Sequence, residues 1–502
     1  MAENPTEHPV CTGIESLLRR DFLTTSASGL GGIALASMLA QDQGCAGEPD
    51  GHANPLAPRV SPLTPRARNC IFIFNAGAPS QLELFNYRPE LERLNGQKLP
   101  DSLLSNVRFA FIQKETARLM GSMRRFRQYG QSGMWFSDLV PHIASCADDL
   151  CMMNSMHTDQ FNHHPGQLMM QCGQAMFGLP SMGSWLSYGL GTENQNLPGY
   201  VVLTSGRGSS GGATLWSSGY LPSIHAGVLL RNQGPPILNL ELPEGLPPSL
   251  ERAGLDAIRT LNQQNLQRTQ DPETASRIAN YEMAFRMQSA APELTDLSGE
   301  TQATLNAYGV DRPEPANRSA RVGAGNHFAS FARNCLLARR MVERGVRFIN
   351  IIFASWDHHS VLDRELTYNA HCVDQPIGAL LSDLKQRGLL DETLVVWGSE
   401  FGRTPLGENR NDNPNATGRD HHPYAFSMFM AGGGSRGGYT HGETDEVGWN
   451  PVINPVHVND FQATLLKLFG IEHKRLTYRH QGVDKRLTNI TRDSVVIEDL
   501  IG

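Results

Sequence analysis

Apolar residues recur at helical spacing at Ile377, Leu380, Leu381 and Leu384, and Gly388 then marks a helix stop. A polar turn, Asp391-Glu392-Thr393, leads into the apolar run Leu394 to Trp397, which reads as a buried strand with Glu400 just past its carboxyl end. The same unit occurs upstream. Phe328, Phe331, Cys335, Leu336 and Val342 mark a helix, Gly345 ends it, residues 346–353 read as a strand, and Asp357-His358-His359 follows. Successive helix–strand units imply a mostly parallel sheet with helices on both faces, whose strand ends deliver Asp, His and Glu to one rim.

The remaining pattern extends that sheet in both directions. Asn69 to Phe74 predicts a first buried strand, with Glu83 and Asn86 in the loop region after it. Residues 137–149 predict a short helix capped by Ser137, and LCMMN a strand whose exit loop holds His157, Asp159, His163 and His164. Residues 181–204 predict a helix and a strand, and 426–431 another strand, preceded by Asp420, His421 and His422. A last helix, capped by Asn459 or Asp460, carries Phe461, Leu465, Leu468 and Phe469 on its apolar face. Between 205 and 325 a Gly/Ser loop, a Pro-rich stretch and a long polar helical region read as an insertion beside the sheet that shapes access. His225, Trp356 and Phe401 are expected to be structural.

The chain of 502 residues, 40% hydrophobic and 19% charged, is long enough for a large core and for one elaborated domain or two. A net charge of −7 without a long basic run gives no footing for nucleic acid. Arg19-Arg20-Asp21-Phe22-Leu23, followed by a small-residue apolar run, resembles a twin-arginine export signal. The expected organisation is therefore a signal over 1–40, a linker over 41–66 and a mature domain over 67–502, handled by the export machinery and destined for the periplasm or the medium. No later segment is long and apolar enough to span a membrane. The cysteines lack metal-knot spacing and sit in apolar runs, so buried free thiols are expected.

Several segments resemble the alkaline phosphatase superfamily, which includes sulfatases. LVVWGSEFG resembles its Ser-Asp-His-Gly strand end, with Glu400 at the Asp and Phe401 at the His, and HHPGQLMMQCG resembles the sulfatase nucleophile segment, with His163 at the nucleophile. More closely, RRDFL, GAPSQLELF, PSMGSWLSYGLG, WDHH, SEFGRTP, GRDHHP and GETDEVG, in that order, resemble the bacterial family known as domain of unknown function 1501. The resemblance implies an alkaline phosphatase-like fold and a metal centre. Glu83 and Asn86 stand where members of that family often have Asp, and no Ser, Thr or Cys stands at the nucleophile position.

The expected metal ligands are Asp357, His359, Glu400, Asp420 and His421, with His163, Arg403 and His422 as catalytic candidates. Mixed carboxylate and imidazole ligands suit Zn²⁺ or Mn²⁺ better than Mg²⁺ or Ca²⁺. One or two such ions would polarise an ester oxygen and activate water, Arg403 would steady the anion, and His164, His358 or His422 would serve as acid or base. The expected activity is exported, metal-dependent hydrolysis of phosphate or sulfate esters, with a sulfated glycan among the candidate substrates. The rival is a non-catalytic protein of the same fold that binds glycan or cell-envelope partners.

Overall fold

A computed structural model describes residues 54–99, 109–231, 236–237, 242, 247–319, 321–409 and 417–502. The twin-arginine segment lies outside the described residues. By its contacts the chain divides into one unit of residues 55–240 and 283–502 and a second of 1–54 and 241–282.

The first unit holds the strands β1 (Asn69–Ala76), β2 (Leu150–His157), β3 (Tyr200–Ser205), β4 (Val228–Leu230), β5 (Phe348–Ala354), β6 (Thr393–Gly398), β7 (Gly402–Gly407), β8 (Arg419–His422), β9 (Phe426–Ala431), β10 (Tyr439–His441) and β11 (Val456–His457). Nine of them make the central sheet, in the order β10-β2-β9-β6-β1-β5-β3-β4 with β11 also on β2, while β7 and β8 pair apart from it. β1 lies parallel between β5 and β6, with Cys70 opposite Phe348 on one side and Leu394 on the other. Central parallel strands are covered on both faces, which is why they appear in the sequence as continuous apolar runs.

Its principal helices are α1 (His163–Cys172), α2 (Met182–Leu190), α3 (His327–Glu343), α4 (Leu362–Gln386) and α5 (Val458–Leu468). Phe72, Phe74, Val202, Ile352 and Val396 join one core with Met170 of α1, Trp185 of α2 and Leu465 of α5. On the opposite face α3 packs on β3 and β5, with the Phe331 and Phe353 rings 5.4 Å apart, and α4 packs beside α3.

The structure refines the sequence pattern at four points. β9 runs antiparallel to both β2 and β6, because the chain leaves the end of β6, turns through β7 and β8, and re-enters the sheet at that same end. Ser137 ends a strand rather than capping a helix, and α5 is capped by His457, whose side chain accepts from the Asn459 N–H. Part of the 205–325 stretch is itself sheet, since β4 forms an edge. The described cysteines are all free and buried, and among the described residues no helix is long and apolar enough to cross a membrane.

In the second unit Arg252, on the helix Pro248–Thr269, donates to Asp256 and Glu282 at 2.6 and 2.8 Å.

Candidate metal centre

At the carboxyl rim of the sheet, β5 is followed by Asp357 and His359, α1 begins at His163, and β8 carries His421. Within this group, one atom is the focus. The Oδ1 of Asp357 lies 2.7 Å from His359 Nε2, 3.1 Å from His163 Nε2, 3.3 Å from His421 Nε2 and 2.7 Å from Arg403 Nη2. One ligand atom from each of His163, Asp357, His359 and His421 falls within 4.8 Å of the others.

The other ring nitrogens determine what those Nε2 atoms present. His163 Nδ1 is 2.7 Å from Glu400 Oε1, His359 Nδ1 meets Glu408 Oε2, and His421 Nδ1 is 2.7 Å from the Phe161 carbonyl oxygen. Ionised carboxylates and carbonyls only accept, so each neutral imidazole carries its proton on Nδ1. Each Nε2 is then a lone pair aimed at a carboxylate oxygen. Three lone pairs facing an anion repel unless a cation or protons lie among them, and an outer acceptor on Nδ1 is the arrangement that orients metal-binding histidines. His163 Nε2 is buried without an aligned hydrogen bond, as a ligand atom awaiting its ion would be. The residues therefore fit a divalent cation.

Without an ion, a proton takes the cation's place among these groups. Burial raises the Asp357 pKa, but the close approach of His163, His359 and His421, with Arg403 alongside, holds it well below the usual carboxylate range. Burial opposes charge on His163, yet its bonds to Asp357 and Glu400 push its pKa up to about 9. His421 is lowered to about 4, by burial and by the Arg403 charge, despite its bond to Asp357.

Two glycines permit the close packing. Gly77 has φ +113°, and a Cβ there would come 2.7 Å from the backbone nitrogens of Trp356 and Asp357. A Cβ on Gly166 would press against Phe401 at 3.1 Å and Glu400 at 3.2 Å, so the glycine lets α1 seat on the end of β6.

The other expected residues take different places. Glu400, expected to face the ion, is fully buried and saturated: Oε1 accepts from His163 Nδ1, Gly77 N at 2.9 Å and Gln167 Nε2 at 3.1 Å, and Oε2 from Ser399 at 2.7 Å. It orients His163 from behind. Asp420 accepts the amides of Phe111, Ile112 and His421, and forms a second close group with His359 and Glu408. Arg403, expected to steady an anion, is buried with its donors spent on Gly77 O, Ala78 O, Arg419 O and Asp357. His422 is buried against the Trp449 carbonyl at 2.6 Å, His358 against Asn369, and His164 stands beside Phe177. Glu83 forks onto Arg419, and Asn86 bonds Thr444, so neither joins the cluster. His225 is buried beside Ser187, and Trp356 and Phe401 are buried.

Above Asp357 opens a cleft of about 200 Å³, lined among others by His163, Gln167, Ser209, Ser210, Arg207 and Arg321. Neither arginine was singled out in the sequence, because both come from irregular loops without periodicity.

This fold and site define an α/β protein with a candidate metal centre at the carboxyl rim of its sheet. The chain belongs to the family described as Protein of unknown function (DUF1501), whose model matches residues 67–501. No curated protein matches the sequence. Among solved structures the chain is similar to Ps i-CgsB, at 11% identity over 80% of this chain and 72% of that one, TM-score 0.36. It is also similar to the phosphonate monoester hydrolase SpPMH of Silicibacter pomeroyi (10%, 72% and 71%, TM-score 0.32) and to the alkaline phosphatase of the Antarctic bacterium TAB5 (12%, 76% and 96%, TM-score 0.32).

Proposed function

We propose that the protein is a metal-dependent hydrolase of anionic esters, of the phosphate or sulfate class. The observation that carries this reading is the convergence of three imidazole Nε2 atoms, each oriented through Nδ1, on Asp357 Oδ1. His163, Asp357, His359 and His421 would hold one divalent ion, and three imidazoles with one carboxylate favour Zn²⁺ or Mn²⁺ over Mg²⁺ or Ca²⁺. Such an ion supplies Lewis-acid polarisation of the ester's oxyanion and lowers the pKa of water. Around it, the chain's own groups set the geometry. Arg403 neutralises part of the Asp357 charge from beneath, Glu400 and Glu408 fix the imidazole planes, and the cationic cleft admits a negatively charged group. Export by the twin-arginine route, with a periplasmic or secreted location, belongs to the same proposal and is supported by Arg19-Arg20 and the apolar run behind them.

The test is elemental analysis of the purified protein together with turnover of aryl phosphate and aryl sulfate esters before and after chelation. Near-stoichiometric metal and chelator-sensitive turnover are expected. Stoichiometric metal with no turnover on either ester series would favour the binding-protein reading, and absence of metal would remove the hydrolase proposal.

A further inference from the structure

The two arginines of the cleft come from separate loops, and each loop is tied to the metal centre by buried polar side chains. Arg207 belongs to the Gly/Ser loop after β3. Ser210 Oγ and Gly211 N both donate to Gln167 Oε1 at 3.0 Å, and Gln167, itself 2% exposed, donates to Glu400. The loop is thus pinned to the residue that orients His163.

Arg321 arrives from the other side, on the strap that precedes α3. Its N–H donates to Ser319 Oγ at 3.1 Å, and that buried hydroxyl donates to the buried Glu365 carboxylate. Its carbonyl accepts from Ser355 Oγ at 3.1 Å. Ser355 has φ +120°, a region that side-chain-bearing residues rarely occupy and that persists only where surroundings over-determine it. Its surroundings do so: its N–H donates to Ala76 O, its carbonyl accepts from Asn369, and its hydroxyl holds Arg321. The Arg321 guanidinium lies 3.9 Å from Asp357 Oδ2, too long for a direct hydrogen bond, and is partly open to solvent.

The cleft therefore presents two guanidiniums against one carboxylate, and that carboxylate already faces Arg403 and three imidazoles. Its volume is below the roughly 300–1,000 Å³ of pockets that enclose whole drug-sized ligands, which suits a small charged group with the rest of the molecule outside. Guanidinium forks match the oxygens of tetrahedral oxyanions, and Ser209 adds a hydroxyl on the Arg207 side.

We infer that Arg207 and Arg321 form a two-armed clamp for a tetrahedral oxyanion, phosphate or sulfate, with Ser355 as the positioning residue that sets the Arg321 arm. The inference deepens the hydrolase reading and rests on it for the reaction, while the clamp itself is measurable without turnover.

The experiment is calorimetric titration of inorganic phosphate, and separately of inorganic sulfate, into the metal-loaded full chain, with metal content recorded for every variant. Arg207→Ala and Arg321→Ala should each weaken anion binding about tenfold at unchanged metal content. Arg321→Lys, which keeps the charge and loses the fork, should fall between wild type and Arg321→Ala, and it serves if the alanine variant folds poorly. Ser355→Ala should weaken binding by about threefold, and the double variant with Arg321→Ala should be no weaker than Arg321→Ala alone, because Ser355 acts through that arm. The anion that binds more tightly identifies the ester class. Wild-type affinity in both arginine variants, or no binding of either anion by wild type, would overturn the clamp. Arginine-dependent binding by protein that holds no metal would keep the clamp and remove the hydrolase reading.

Discussion

The floor of the cleft and its mouth are built differently. On the floor, every imidazole is fixed at its far nitrogen, by Glu400, Glu408 or the Phe161 carbonyl, and the side chains leave from β8, the first turn of α1 and the segment just past the end of β5. At the mouth, Arg207 and Arg321 ride on loops, each held by a few hydrogen bonds to its backbone neighbourhood. Groups that gather lone pairs and a negative charge around one point need rigid supports, since small displacements would relieve the repulsion and dissolve the site. Groups that meet an incoming anion can be carried by loops.

The sharpest way to break that contrast is Asp357→Asn. The variant removes the charge on which three imidazoles and Arg403 converge, so bound metal should fall to background and turnover with it, by about a thousandfold or more. Elemental analysis and ester assays check this. Near-normal metal content would show that Asp357 belongs to the mouth.

Glu400→Gln tests the floor from behind. The amide still accepts from Gly77, but it no longer offers four acceptor sites to His163, Gln167, Gly77 and Ser399. Metal affinity should drop about 10–100-fold, as for other outer partners of ligating histidines. Competition with a fluorescent chelator measures it. A complete loss equal to that of Asp357→Asn would place Glu400 in direct contact with the ion.

The same contrast explains what could be read from the sequence. Asp357, His359 and His421 follow or lie on short strands flanked by turn residues, so pattern alone assigns them to one rim. Which atom of a rim residue faces the centre is decided by backbone geometry that pattern does not encode: Glu400 and His163 are neighbours, yet the carboxylate faces backwards and the imidazole inwards. The β9 direction follows from where the β7–β8 excursion begins and ends, which periodicity cannot show. Arg207 and Arg321 left no trace, because glycine-rich and irregular segments have no repeating signal and their placement depends on Gln167 and Ser355, distant in the chain.

Removing the metal should expose a pH dependence specific to the floor. In the stripped protein a proton on His163 substitutes for the ion, held by Asp357 and Glu400 against the penalty of burial. Its folded pKa, about 9, lies above the ordinary histidine value near 6.5. A raised folded pKa contributes stability that is fully present below pH ~6.5 and is lost as pH rises through about 9, a loss of roughly 1–3 kcal/mol. Urea denaturation of chelated protein at pH 6.5 and pH 9.5 checks the sign. Metal-loaded protein should lack this slope, and an unchanged slope on reloading would disconnect His163 from the ion.

The smallest expected effect comes at the boundary between the two regions. Asp420 is buried and grips the amides of Phe111 and Ile112 at 2.8 and 3.1 Å with one oxygen, which holds the Phe111 ring edge-on to His359 at 5.0 Å between centroids. Its other oxygen accepts the His421 N–H at 2.8 Å. Asparagine offers one acceptor oxygen where the carboxylate offers two, so Asp420→Asn should release either the Phe111–Ile112 segment or the His421 amide, at a local cost of about 1–2 kcal/mol. Hydrogen exchange at Phe111 and Ile112 should accelerate, with metal affinity reduced a few fold. Because Asp420 also lies within ligand distance of His359 and Glu408, a loss of metal as large as that of Asp357→Asn would instead place a second ion, or an extended first one, between those carboxylates. The two outcomes separate a residue that fastens the Phe111–Ile112 segment from one that belongs to the floor.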